Sequence, residues 1–270
     1  MHTPETNVTG DGFCASDFSA AARSWWDSDA DDYHARHPTY LGVDGAEFYW
    51  CPEMLHESTA RLLGRPAELR GASILELGCG SAPCSRWLAQ DLGDSTFITA
   101  FDISAAMLRH AGDHRGVDLV QADAMALPYR GDSFDVVFSA FGAIPFVSDS
   151  AALMREVARV LRPGGRFVFS VTHPMRWIFT DDPGPTGLTA VNSYFSGDYV
   201  ERDERNGRIT YAEQHRTMGE RLGELTDAGF RLERLLEPEW PADLDVSWGQ
   251  WSPLRGGIFP GSAIFCSTLD

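Results

Sequence analysis

The sequence predicts a three-layer α/β fold: a mostly parallel sheet with helices packed on both faces. Three observations carry this. Five short apolar runs fall between residues 73 and 171, most of them separated by helical stretches. A Gly-rich turn, Gly78-Cys79-Gly80, joins the first run directly to a helix. The first three runs each carry an acid at or near their ends, Glu76, Asp102 and Asp123. In such sheets ligands gather beyond the carboxyl ends of the strands, where the strand order reverses, so three acids there suggest one shared crevice.

Each element has its own signal. Residues 1 to about 15 are polar and Gly-containing and read as disordered. Residues 18–35 read as a helix, with Trp25, Trp26, Ala30 and Tyr33 at helical spacing among aspartates. Residues 40–52, with Tyr40, Phe48, Tyr49 and Trp50, read as a loop or cap. Residues 52–63 read as a second helix that Gly64 and Pro66 end. Strands follow at 73–77, 96–102, 117–123, 134–139 and 166–171. The helices between them run over 83–91, 105–110 with Ser104 as N-cap, and 150–161 with Leu153, Met154, Val157, Val160 and Leu161 on one side. Residues 192–212 carry an Asn206-Gly207 turn between aromatic runs, the mark of a hairpin. A helix over 216–228, a strand over 231–236, a Pro-, Gly- and Trp-rich loop over 238–261 and a last strand over 262–268 complete the chain. The expected divisions are a helical lid over 1–65, a core over 66–173, an insertion over 174–212, and the rest of the core over 213–270.

Composition narrows the function. The chain has 270 residues and a net charge of −17; all 22 basic residues are arginine. Such an acidic surface repels phosphate backbones and anionic lipid, so neither nucleic acid nor a membrane is expected as partner. The absence of lysine removes Schiff-base and Walker-type phosphate chemistry. The five cysteines, Cys14, Cys51, Cys79, Cys84 and Cys266, are odd in number and form no C-x-x-C pair, which points to reduced thiols and no metal site. No secretory signal or membrane span is visible, and the cytoplasm is the expected location.

A strand–Gly-turn–helix unit serves nicotinamide enzymes as well as other nucleotide binders. Counting from Gly78, the third glycine of G-x-G-x-x-G falls on Pro83, so the helix lacks the small residue that lets it approach a pyrophosphate. The acid before the turn suits a cationic ligand better.

The ordered set Leu75-Glu76-Leu77-Gly78-Cys79-Gly80, Phe101-Asp102-Ile103-Ser104, Gln121-Ala122-Asp123-Ala124, Phe134-Asp135-Val136-Val137 and Leu161-Arg162-Pro163-Gly164-Gly165 resembles the class I S-adenosylmethionine-dependent methyltransferase family over about residues 70–171. It departs at Ala82, where many members have a third glycine of G-x-G-x-G. The resemblance implies a Rossmann-like sheet whose last strand is antiparallel, with S-adenosylmethionine as cofactor and S-adenosylhomocysteine as product. It implies that Gly78 and Gly80 admit the methionine part and that Glu76 sits near its ammonium group. Asp102 would accept from both ribose hydroxyls, Ile103 and Met125 would sandwich the adenine with Met107 beside them, and Asp123 and the Ala124 amide would meet its edge. Ser139, Ala140 and Phe141 would line the floor near the reactive methyl, and Tyr33 would close the lid.

For a weakly acidic acceptor a base is needed. His173, just after the fifth strand, is the first candidate; His34, His37 and His215 are weaker ones. His34, Phe141, Trp177, Tyr194 and Trp251 are candidate acceptor contacts, and an aromatic or partly apolar metabolite is the expected acceptor, methylated on O, N or C. A monomer or homodimer is expected. A nicotinamide-dependent oxidoreductase and a catalytically silent cofactor-binding regulator are the alternatives.

Overall fold

The computed structural model describes residues 15–42, 46–93 and 95–270. Helix α1 (Ala15–Arg36) leads into a short α2 (Pro38–Leu41), then α3 (Glu57–Ala60) and α4 (Pro66–Leu69). The core follows as β1 (Ser73–Leu77), α5 (Pro83–Leu92), β2 (Phe97–Asp102), α6 (Ala105–Arg109), β3 (Val117–Gln121), β4 (Phe134–Ala140), α7 (Ser150–Val160) and β5 (Leu161–Thr172). A hairpin of β6 (Tyr199–Arg202) and β7 (Ile209–Glu213) precedes α8 (Met218–Asp227), β8 (Phe230–Leu236), α9 (Pro253–Gly256) and β9 (Ser262–Leu269).

Seven strands form one sheet in the order β3-β2-β1-β4-β5-β9-β8. β1 pairs in parallel with β2 on one side and β4 on the other, so the strand order reverses between β1 and β4. The last strand runs antiparallel between β5 and β8, as the resemblance implied. Both faces of the sheet are covered, which explains the nearly unbroken apolar runs. Leu75, Leu77, Val137, Phe167 and Phe169 pack on one side with Leu153 and Val157 of α7. Ile74, Phe138 and Val168 face the other, with Leu88 of α5 and with Phe48 and Trp50.

The hairpin braces the lid. Val200, Ile209 and Ala212 pack with Phe18 and Ala21 of α1, and Trp25 meets Tyr211 edge-on with ring centroids 4.9 Å apart. Asp27 pins the same helix to the core: its Oδ1 accepts from Ser104 Oγ at 2.6 Å and from the Ala106 amide at 3.0 Å.

Three expectations need correction. The stretch 52–63 is not one helix: only Glu57–Ala60 is helical. Met54 and Arg61 take positive φ, and the buried Glu57 carboxylate accepts from Trp50 Nε1 and from the Leu62 and Leu63 amides, drawing them out of a helical ladder. Leu161 to Gly165 continues into β5 instead of serving only as a helix stop. The loop over 238–261 contains α9, with Ser252 as its N-cap. The expected disorder of residues 1–14, and Cys14, lie outside the described residues. Cys51, Cys79, Cys84 and Cys266 are buried free thiols, and no described group of His, Cys, Asp and Glu has the arrangement of a metal site. No described helix is long and apolar enough to cross a membrane.

Candidate functional site

The loops after β1 and β4 meet backbone to backbone. Gly78 has φ +64°, and a Cβ there would lie 2.5 Å from the Ala143 nitrogen. A Cβ on Gly142 would lie 2.5 Å from the Gly78 carbonyl oxygen. Only glycine fits two loops this close. The Cys79 amide donates to the Phe101 carbonyl at 2.9 Å and ties the turn to β2. Ala82 stands at φ +54°, the left-handed conformation that a glycine adopts freely, so the loop enters α5 despite the departure from the glycine pattern.

These loops floor a cleft of about 940 Å³, its open mouth included. Glu76, Asp102 and Asp123 line it, and none of its described lining residues is arginine or histidine. Glu76 Oε2 accepts from both the amide and the hydroxyl of Ser85. Burial pushes its pKa up to about 8, those two hydrogen bonds opposing the shift and the nearby Asp102 charge adding to it. Asp102 accepts from the Gly80 amide through Oδ2 and from the Ser104 amide through Oδ1, each at 2.8 Å. Its carboxyl is raised by burial to about 6, the amides opposing. Asp123 Oδ1 accepts from the Met125 amide at 2.9 Å.

The structure brings Tyr33, Glu76, Gly78, Gly80, Asp102, Ile103, Met107, Asp123, Ala124, Ala140 and Phe141 to this one cleft. Met125 and Ser139 do not line it. Met125 packs toward the core, and Ser139 Oγ is buried against the Leu77 carbonyl at 2.9 Å. Trp177 and Tyr194 lie elsewhere: Trp177 packs on His215, and the Tyr194 hydroxyl accepts from the Met218 amide at the start of α8. His215 contacts the Tyr194 carbonyl through Nε2 at 2.7 Å and lies outside the cleft lining. His34 stacks on His110 with centroids 4.0 Å apart and contacts the Ala30 carbonyl through Nδ1, outside the cleft lining.

His173 follows β5 as expected, but both its ring nitrogens are occupied. Nδ1 accepts from the Met175 amide at 3.1 Å, so Nε2 carries the proton and donates to Glu237 Oε1 at 2.8 Å. Burial holds its pKa below the ordinary histidine value against the pull of Glu237. The imidazole therefore acts as a cap on the turn over Pro174–Ile178. His173→Ala should lower the melting temperature by roughly 2–4 °C, the scale of one lost buried hydrogen bond in a chain this size. An unchanged melting curve would show that the cap contributes nothing.

Aromatic groups that the spacing of the sequence did not assign complete the cleft. Tyr40 and Tyr49 line it, with Trp26 of α1 and Phe146. Trp248 packs on Tyr40 at 4.6 Å and on His37 at 4.1 Å, and its backbone exchanges two hydrogen bonds with Trp251. His37 is held down to about 4 by burial and by Arg36, so it stays neutral among these rings. Trp251 does not line the cleft itself but meets Phe141, which does, at 5.4 Å. Gly142, two residues past the end of β4, carries no motif of its own in the sequence.

Residues 75–169 match the family described as methyltransferase domain. Demethylmenaquinone methyltransferase of Listeria welshimeri is 33% identical over 133 residues, 47% of this chain and 52% of the relative. The chain thus spans about half the length of the curated relatives it matches. Among solved structures, an S-adenosylmethionine-dependent methyltransferase of Mesorhizobium loti is 26% identical with a TM-score of 0.62, over 78% of this chain and 95% of that one. A 1,6-didemethyltoxoflavin-N1-methyltransferase of Burkholderia thailandensis, solved with 1,6-didemethyltoxoflavin and S-adenosylhomocysteine, shares the fold at 17% identity and a TM-score of 0.59, over 97% of this chain and 94% of that one.

Proposed function

The chain belongs to the class I S-adenosylmethionine-dependent methyltransferase family, and we propose that it transfers the cofactor's methyl group to a small organic acceptor held under the aromatic cap. One observation supports this above the others: the cleft presents three carboxyl groups and no described basic side chain. That set suits a ligand with an ammonium group, a sulfonium and ribose hydroxyls. It does not suit the pyrophosphate of a nicotinamide dinucleotide, which needs cations or an open helix N-terminus. The glycine contact of Gly78 with Gly142 leaves room for backbone approach that any Cβ would fill.

Glu76 would meet the ammonium group, Asp102 the ribose hydroxyls, and Ile103, Met107, Asp123 and Ala124 the adenine. When bound, S-adenosylmethionine supplies an electrophilic methyl whose transfer leaves the bonding pair on sulfur. The chain contributes alignment and exclusion of water. Helix α1, clamped by Asp27 on α6 and by the hairpin, carries Trp26 and Tyr33 over the cleft. A relative named for demethylmenaquinone and a fold neighbour holding 1,6-didemethyltoxoflavin support a small-molecule acceptor.

Calorimetry tests the reading. Glu76 is protonated at pH 7 in the folded chain, with a pKa of about 8 against an ordinary 4.5. The folded state therefore holds a proton that the unfolded state lacks between those two values. It follows that this group's contribution to stability falls as pH rises through that window. A bound ammonium favours the carboxylate, so S-adenosylhomocysteine binding at pH 7 should release up to about one proton, read from titrations in two buffers of different ionisation enthalpy. Glu76→Gln should abolish that release. Tight NADH binding without S-adenosylhomocysteine heat would replace this reading with an oxidoreductase.

A further inference from the structure

One face of α1 lines the cleft. Ser19, Ala22, Trp26 and Tyr33 recur at spacings of three, four and seven, which places them in one row along the helix. From Ser19 to Tyr33 that row is about 21 Å long, at the rise of an α-helix. Tyr33 and Trp26 pack on Met107, beside the residues given to the adenine and ribose. Trp26 also reaches Phe146, in the segment after β4. Ser19, Ala22, Ala143, Phe146 and Val147 line the rest and answer to none of the cofactor groups placed above. On that reading the adenine, ribose and methionine parts take the ends of β3, β2 and β1, so the end of β4 falls to the acceptor.

The rings at this end form a corner. Trp26 stands at 86° to Tyr33 with centroids 5.5 Å apart, and at 88° to Phe146 with centroids 5.3 Å apart. All three line the cleft. An edge-to-face contact spends the electron-poor rim of one ring and leaves that ring's electron-rich faces open. A cation within about 6 Å of such a face is attracted to it. The corner is held from behind. Phe146 ends a single 3-10 turn, and the Gln214 amide, just past β7, donates to the Pro145 carbonyl of that turn at 2.7 Å. Tyr211 of β7 packs on both Phe146 and Trp25.

The described lining gives an acceptor little help in losing a proton. Glu76, Asp102 and Asp123 are matched to the cofactor. Burial raises Tyr33, Tyr40, Cys79 and Cys84 above their ordinary values, so those four keep their protons at pH 7. An oxygen nucleophile needs its proton removed, and the anion so formed would face an acidic cleft. An unprotonated nitrogen meets neither obstacle.

We propose that the acceptor is a flat, uncharged heteroaromatic compound methylated on a ring nitrogen, and that Trp26 and Phe146 hold the positive charge that methylation leaves on it. The proposal rests on the methyltransferase reading above and names its acceptor class. The nitrogen lone pair forms the new N–CH3 bond, the S–CH3 bond breaks with its pair left on sulfur, and no proton moves. The positive charge passes from sulfur to the ring, so the charge of the bound pair is the same before and after transfer. Aromatic faces and carboxyl groups favour a cation at both stages.

Three rings of similar shape and different charge test this: N-methylquinolinium, 1-methylnaphthalene and 1-naphthoate. Each is measured by equilibrium dialysis against the full chain already saturated with S-adenosylhomocysteine. The parent should bind the cation about three- to thirtyfold more tightly than the neutral ring, and the anion least. Phe146→Leu and Trp26→Leu should each cut the cation's advantage to about twofold or less, while leucine keeps the wall apolar for the neutral ring. S-adenosylhomocysteine affinity should stay within about threefold in Phe146→Leu. A neutral ring bound as tightly as the cation, tightest binding of the naphthoate, or no ring bound by the saturated parent overturns the proposal. So does a cation preference that survives in either folded variant. If Trp26→Leu fails to fold, Phe146→Leu decides alone. Failure of the parent to bind S-adenosylhomocysteine is seen before any ring is added, and it defeats the methyltransferase reading itself.

Discussion

Asp102→Ala is expected to weaken S-adenosylhomocysteine binding by about 1.5–3 kcal/mol, roughly ten- to 150-fold in Kd, the scale of hydrogen bonds to a charged acceptor. The carboxylate does two things at once. Each oxygen already accepts one backbone amide, Gly80 on one side and Ser104 on the other. Each keeps lone-pair capacity for a ribose hydroxyl. Alanine removes the ligand's acceptor and leaves two amides unpaired at the Gly turn and at the start of α6. Asp102→Asn keeps one acceptor oxygen and should fall between parent and alanine. The same logic sets a pH dependence. With a folded pKa of about 6, Asp102 is ionised at pH 7 and loses its charge as pH falls through that value, so affinity should decline in the acid direction. Unchanged affinity in Asp102→Ala would put the ribose elsewhere.

The sheet was legible because each core strand is covered on both faces and so reads as an unbroken apolar run. β1 matches its expected bounds, and β2 and β4 differ by one residue. Glu76, Asp102 and Asp123 were legible because strand ends have a fixed meaning in a parallel sheet. The cap was not, and the reason is local. In residues 52–63 the apolar positions are spaced as in a helix, yet a buried glutamate takes the amides that the helix would need. Trp177 and Trp251 looked alike in sequence, as tryptophans in Pro- and Gly-rich loops. Only the tertiary fold sends one to His215 and the other to Phe141. Glu53 carried no signal at all: an acid after proline reads as an exposed turn until the Ser262 hydroxyl and the Gly261 backbone close over it.

Gly78→Ala should be the most damaging single change in the cofactor loop, and comparison with Gly80 and Gly142 shows why. Gly78 combines a left-handed φ of +64° with a Cβ position 2.5 Å from the Ala143 backbone nitrogen. Strain of about 1–2 kcal/mol and overpacking of about 1–3 kcal/mol should together lower stability by roughly 2–5 kcal/mol. For a chain of this size that is a fall in melting temperature of roughly 5–15 °C, with loss of S-adenosylhomocysteine binding as the loops separate. Gly80 has the same backbone need, φ +56°, but a Cβ there meets only the flexible end of Met107 at 3.1 Å. Its alanine variant should cost about 1–2 kcal/mol, the strain alone. Gly142 has no left-handed φ but a Cβ position 2.5 Å from the Gly78 carbonyl oxygen, so its variant isolates the clash, at about 1–3 kcal/mol. Thermal melts of the three variants should therefore rank Gly78→Ala as the least stable, with the other two between it and the parent. If Gly80→Ala proves as damaging as Gly78→Ala, the backbone approach of the two loops is not what demands glycine at 78. The crevice would then owe its shape to the conformation of the first loop alone.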